Sequence, residues 1–323
     1  MSLKDNNRVL PNYKKLHKQL LNWYAKNGRH ELPWRNTKEI YHVYLSEIML
    51  QQTQVNRVRD EYYPQFLKKF PTLEALGNAP LDDVLAAWSG LGYYRRARNL
   101  HNSAKLAGNE LPNTLESLKS LPGVGAYTAS AVCSFGYGQS VAVVDTNIAR
   151  VLKRVFSLLD PKDKELWSRA EQFVNVREPR DHNLALMDLG SLVCLPKNPN
   201  CKECPLEPEC LGKEDPELYT KTKKKVSIAM DLFFGAYVKD GKVALKMSED
   251  NMYKDMLVLP SVEPLEDELL GTFKHAYTKY RLSVNIYRVE ELEGEFTWVD
   301  LEEFDKAPLS SLTKKARKFL LKI

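Results

Sequence analysis

The chain has 323 residues, 43% of them hydrophobic and 28% charged, an ordinary globular balance long enough for two buried cores. No run of eighteen apolar residues occurs, and the opening MSLKDNNRVLPNYKK lacks the apolar stretch of a signal peptide, which excludes a membrane span and leads us to expect a soluble intracellular protein. A formal net charge of +5 permits a polyanionic partner without demanding one.

Up to about residue 212 the apolar residues recur mainly at helical spacing. In YKKLHKQLLNWYAKNG, Leu16, Leu20, Trp23 and Tyr24 share one face and Gly28 is expected to stop the helix. The next informative stretch, VYLSEIMLQQTQVNRV, places Glu47 among Leu45, Ile48, Met49 and Leu50. A carboxylate desolvated there has a raised pKa and can act as a general acid, whereas on a polar stripe it would be an ordinary solvated glutamate. NTLESLKSLPGVGAYTASAVCSFGYG reads as helix, tight turn, helix over 114–136, with Asn113 and Glu116 as the expected cap and Gly136 as the end. Its glycines let the backbone come close to a ligand, so Gly123, Val124 and Gly125 are candidates for a sequence-independent contact to a DNA phosphate; an αα-hairpin that only packs is the plainer reading. Cys133, inside the second helix, reads as a small core residue.

VAVVDTNIARVLKRV places Asp145 between an apolar run and a helix. As an N-cap its charge is favoured by the helix dipole, so it is expected to stay ionised at neutral pH. One protonated and one ionised carboxylate form the pair needed to break a glycosidic bond.

Four of the five cysteines fall in CLPKNPNCKECPLEPEC, at Cys194, Cys201, Cys204 and Cys210, with four prolines keeping the loop out of regular helix. In a reducing compartment such clustering favours metal over disulfide. Four thiolates can hold either a zinc ion or a [4Fe-4S] cluster, and the residues alone leave both open. Beyond the loop, EDPELYTKTKKKVSI reads as a linker, 214–228, after which the period becomes that of strands. MDLFFGAYVKDGKVALKMSED carries a hairpin signal at Asp240-Gly241, RLSVNIYRV and GEFTWVD supply further strands, and LTKKARKFLLK a basic helix. The expected domains are therefore 1–213, mainly α, and 229–323, small and α+β.

The motifs LPWR, LSEIMLQQTQV, WSGLGYYRRARNLH, LPGVGAYTASAV, VVDTN and MDLGSLVC, in this order over residues 12 to 212, closely resemble the adenine DNA glycosylase family. Its wider group is the helix-hairpin-helix DNA glycosylase superfamily with an iron-sulfur loop of this cysteine spacing. The resemblance implies one [4Fe-4S] cluster on Cys194, Cys201, Cys204 and Cys210. It implies that Glu47 protonates adenine mispaired with 8-oxoguanine or guanine in double-stranded DNA, that Asp145 steadies the sugar cation, and that Asn147 orients the site. Tyr127 stands where the related endonuclease III branch has a lysine, so no Schiff base can form there and a monofunctional enzyme is expected. Trp34, Arg35 and Asp188 match positions around the flipped adenine, and Gln52 and Tyr93 match residues inserted into the duplex.

More loosely, residues 229–323 resemble that family's Nudix-like domain, which reads 8-oxoguanine. Where its reading loop has Phe-Ser-His, HAYTKYRL supplies Tyr277, Thr278 and Lys279, and the domain lacks an acidic Nudix catalytic box, so no pyrophosphatase activity is expected. The resemblance further implies a monomer, cytoplasmic and nucleoid-associated as in bacteria. A thymine mismatch glycosylase of the same fold and a non-catalytic, cluster-containing DNA-binding protein are the competing functions.

Overall fold

The computed structural model describes residues 11–220, 227–250, 252–254, 256–265, 267–277 and 279–323. Thr278 and residues 221–226 of the expected linker lie outside the described residues. The chain divides into two compact units, residues 1–84 with 93–222 and residues 85–92 with 223–323.

The first unit is helical. Asn12 caps α1 (Tyr13–Asn27) by accepting from the Lys15 amide, and Gly28 ends it in extended backbone, where a Cβ would lie 2.5 Å from the Tyr24 ring. Leu16, Leu20 and Tyr24 are buried as the spacing predicts, while Trp23 is only partly so. Next come α2 (Ile40–Leu50) and, after shorter helices, α3 (Tyr94–Ala107). The hairpin consists of α4 (Leu115–Lys119) and α5 (Ala126–Ala131), which runs on through one π-helical turn to Gly136. Its cap is Thr114, which accepts from the Ser117 amide, one residue later than the expected Asn113. Gly123 takes φ 75, the left-handed turn that glycine allows. The Val124 amide donates to the Leu121 carbonyl and closes that turn.

Then follow α6 (Thr146–Val155), α7 (Asp163–Phe173) and α8 (Pro179–Leu192). Their apolar faces meet α1 in one core that holds Leu16, Leu20, Val151, Leu152, Phe173 and Leu189. The cysteine loop closes over this core through the fully buried Leu206. The segment expected to open the linker is instead a 3-10 turn, Pro216–Thr220, tied down by the Arg154 Nε donation to the Pro216 carbonyl and by a Ser157–Tyr219 hydroxyl pair.

In the second unit β1 (Ile228–Ala236) runs parallel to β6 (Tyr280–Arg288), which pairs antiparallel with β5 (Leu269–Tyr277). A second sheet is built on β3 (Lys242–Met247), paired with β2 (Val238–Lys239), β4 (Leu257–Val258) and β7 (Thr297–Asp300). Asp240 and Gly241, at φ 50 and 74, form the β2–β3 turn with the two positive φ values of type I′. α9 (Ser311–Leu320) packs Leu312, Ala316 and Phe319 onto the core with Phe234, Val284 and Ile286. Among the described residues no helix is long and apolar enough to cross a membrane.

Candidate active site

A cavity of about 260 Å³ opens in the helical unit between the 3-10 turn Pro33–Arg35, α2, α5, the start of α6 and α8. Glu47, Tyr127, Asp145, Asn147, Trp34 and Arg35 all line it, so residues spread over more than a hundred positions of sequence meet there. Glu47 is buried on α2 and its Oε2 accepts a 2.6 Å bond from the Tyr127 hydroxyl. Burial pushes its carboxyl up to about 7, with the Tyr127 bond pulling it down, the charge of Asp145 pushing it further up and Arg35 pulling it down. This residue therefore exchanges a proton near neutrality.

Asp145 caps α6, its Oδ1 accepting 2.7 Å from the Ile148 amide and its Oδ2 3.1 Å from Asn147 Nδ2. Burial raises its pKa, and these bonds oppose the rise only in part. The two carboxyls still differ in kind. Glu47 is met by one phenol, whereas Asp145 is held by donors that favour the anion.

Asn147 is fixed from two further directions. Arg150 Nη2 donates 2.9 Å to its Oδ1, while Arg150 Nε donates 2.7 Å to the Cys194 carbonyl. On the other side α8 presses close: a Cβ on Gly190 would stand 2.7 Å from that of Asn147. Neither Arg150 nor Gly190 was singled out by sequence reasoning. A glycine in a helix interior costs about 1 kcal/mol, and that was the available signal for Gly190.

Asp188, expected beside the substrate base, is absent from the residues lining the cavity. Its fully buried carboxylate accepts from Arg35 Nη1 and Nη2 at 2.5 and 2.8 Å, and from the Arg29 amide and Nε at 2.9 and 2.7 Å. Burial would raise its pKa, but the bonds and charges of Arg35 and Arg29 outweigh burial and hold it below the usual range. Asp188 thus holds Arg35, and Arg35 is the member of the pair that lines the cavity. Trp34 stands edge-on to Tyr63, ring centroids 5.2 Å apart.

Gln52 and Tyr93 are exposed, with left-handed φ of 60 and 51. Strained non-glycine backbone of this kind concentrates at functional sites. Gly125 caps α5, with Gly123 and Val124 in the turn before it. In the second unit Tyr277 pairs with Tyr280 where β5 meets β6, its ring 4.7 Å from that of Tyr253, and Lys279 lies over the Tyr280 ring.

Cys194, Cys201, Cys204 and Cys210 line a separate cavity of about 20 Å³, with Val151, Val155, Leu189 and Leu206 as apolar walls. Among the described residues no group of three or more His, Cys, Asp or Glu side chains is arranged to hold a single metal ion. Burial pushes the thiols of Cys204 and Cys210 up to about 12 and about 11, so charge on these sulfurs is costly unless another centre shares it. Arg154 Nη1 donates 3.2 Å to Cys194 Sγ.

The family model described as HhH-GPD superfamily base excision DNA repair protein matches residues 45–175. An adenine DNA glycosylase from Buchnera aphidicola of Baizongia pistaciae is 42% identical over 213 residues, 64% of this chain and 60% of its own length. Another, from Buchnera aphidicola of Schizaphis graminum, is 33% identical over 257 residues, 76% of this chain and 74% of its own. A solved thermostable thymine-DNA glycosylase superposes with a TM-score of 0.58 at 30% identity, covering 62% of this chain and 96% of that one. The fold and the matched family model place the chain in the helix-hairpin-helix class of base excision DNA repair proteins. Within that class, the chain belongs to the adenine DNA glycosylase family.

Proposed function

We propose that the protein hydrolyses the N-glycosidic bond of adenine mispaired with 8-oxoguanine or guanine in double-stranded DNA and leaves an abasic site. The observation that carries this reading is Glu47, buried, bonded to Tyr127 and lifted to about 7, in the same cavity as the N-capping Asp145. Glu47 gives its proton to the adenine ring, which makes the base a better leaving group. As the bond lengthens, positive charge grows on the sugar and the Asp145 carboxylate lies ready for it, held by the Ile148 amide and Asn147. Water then adds to the sugar carbon and its proton passes to the Glu47 carboxylate, which restores the acid.

Tyr127 offers no amine, so no covalent imine forms and the strand stays intact. Trp34 and Arg35 receive the extruded base. Gln52 and Tyr93 enter the duplex in its place, and the hairpin backbone at Gly123, Val124 and Gly125 sits on a phosphate. Flipping costs a few kcal/mol and least at a mispair, which favours mispaired adenine. Tyr277, Thr278 and Lys279, at the place of the family's reading loop, meet the 8-oxoguanine.

Cys194, Cys201, Cys204 and Cys210 hold one [4Fe-4S] cluster, a reading supported by four thiols around one apolar-walled cavity. When bound, the cluster supplies iron-sulfur bonds that tie the loop into one crosslinked unit. Iron and sulfide analysis of the purified protein separates it from a zinc site.

The test is single-turnover cleavage of labelled duplexes containing A·8-oxoguanine, A·G, T·G or A·T, each read with and without alkali. Alkali-dependent breaks at adenine in the first two alone bear the reading out. Breaks at thymine establish the second reading, which the likeness to the solved thymine-DNA glycosylase favours. Binding without breaks would leave a non-catalytic DNA-binding protein.

A further inference from the structure

Gln52 and Tyr93 lie 41 positions apart by their numbers, in different loops, and both hold left-handed backbone while exposed. One side chain reaches both loops. Arg96, 9% exposed on the first turn of α3, donates from Nη1 to the carbonyls of Ile48 and Met49, each at 2.9 Å. These belong to the last turn of α2, where carbonyls have no partner within the helix. Its Nη2 donates 3.2 Å to Thr53 Oγ1, just past Gln52, and its guanidinium carbon lies 5.5 Å from the Tyr93 ring centroid. Its own amide donates 2.8 Å to the Tyr93 carbonyl.

We propose that Arg96 is a positioning residue that fixes Gln52 and Tyr93 as one preset pair for entry into the duplex. The inference rests on the glycosylase reading and goes beyond it by assigning the presetting of the pair to a residue that touches neither base nor sugar. The planar fork of an arginine reaches three acceptors at the end of α2 and just beyond it while its face meets the Tyr93 ring. A lysine ammonium keeps the charge but is a point donor on a flexible stem and cannot span them. The contact also ties insertion to chemistry, because Ile48 directly follows Glu47 on α2. A duplex that meets the pair in place needs no further ordering of these loops before the base leaves the stack.

Arg96→Lys and Thr53→Val test this on two substrates: adenine opposite 8-oxoguanine in an intact duplex, and the same adenine opposite an abasic gap, where the stack is already open. Extrusion is followed by the fluorescence of 2-aminopurine at the target position, base release by single turnover, and folding by the thermal midpoint. Arg96→Lys is expected to slow extrusion and release from the intact duplex tenfold or more, to release adenine opposite the gap within about twofold of the wild type, and to keep the alkaline limb set by Glu47. Thr53→Val should follow in the same direction with a smaller factor. Equal losses on both substrates, or none on either, overturn the inference. Should Arg96→Lys melt early, Thr53→Val decides, and equal behaviour on the two substrates again overturns it. A wild type that releases adenine from neither substrate fails the glycosylase reading instead, and so is told apart.

Discussion

The α2 and α8 walls of the helical unit each bury a carboxylate, and the two end in opposite states. Glu47 on α2 meets one phenol and is pushed up to about 7 by burial; Asp188 on α8 is as deeply buried, yet Arg35 and Arg29 hold it low. Burial is common to both. The cation beside the carboxylate decides whether it becomes an acid or an anchor.

The largest way to break that contrast is Glu47→Gln, which keeps shape and removes the proton. Single-turnover base release should fall by roughly 10²–10⁴-fold, the range of a lost general acid. The same variant sharpens the contrast in stability. A Glu47 folded pKa of about 7, above its unfolded value, means that its contribution is fully present below the unfolded pKa and is lost as pH rises through 7. Glu47→Gln should therefore exceed the wild type in denaturant stability at pH 8, by up to roughly 3 kcal/mol, and lose that lead by pH 4.

Arg35→Ala attacks the other wall. It leaves a buried carboxylate with Arg29 alone, and equilibrium unfolding at pH 7 should show a loss of roughly 3–5 kcal/mol. Adding Asp188→Leu to that variant should restore part of it, since the buried charge that Arg29 alone compensates is then gone. Gly190→Ala tests the close approach of α8 to Asn147. A Cβ 2.7 Å from that of Asn147 should cost about 1–3 kcal/mol of stability and slow base release, with duplex binding little changed.

The smallest effect belongs to Tyr127→Phe. Its hydroxyl pulls the Glu47 pKa down, so its loss should move the alkaline limb of the pH–rate profile upward. In the wild type, release should decline above pH 7 as Glu47 ionises and decline again in acid as Asp145 takes a proton. An unmoved limb in the variant would assign that limb to another group.

How far the site was legible follows from the same physics. Glu47 stood out because its sequence neighbours are apolar, and Asp145 because a capping residue precedes a helix. The β2–β3 turn was readable from Asp240-Gly241 alone. Residues 269–277 were not read as a strand, because Gly271 and His275 interrupt the inward face of an alternation that pairing with β6 supports. The cap at 114 was missed by one position because Asn113 and Thr114 are both good caps. Asp188 looked like a cavity residue since nothing in sequence tells which arginine a carboxylate will meet. Arg96 and Arg150 were silent for a related reason: their acceptors include main-chain carbonyls distant in sequence, which residue type does not encode.

The left-handed backbone at Gln52 and Tyr93 sets two kinds of selection against each other. Glycine adopts that conformation without the steric penalty that glutamine and tyrosine bear, but offers nothing to fill a gap in a base stack. A laboratory search for heat resistance alone would be free to place glycine at both positions and collect proteins that survive warming. Under the duplex-insertion role proposed above, a search for low mutation rate would discard those clones, and the shape of the two loops would then record that role.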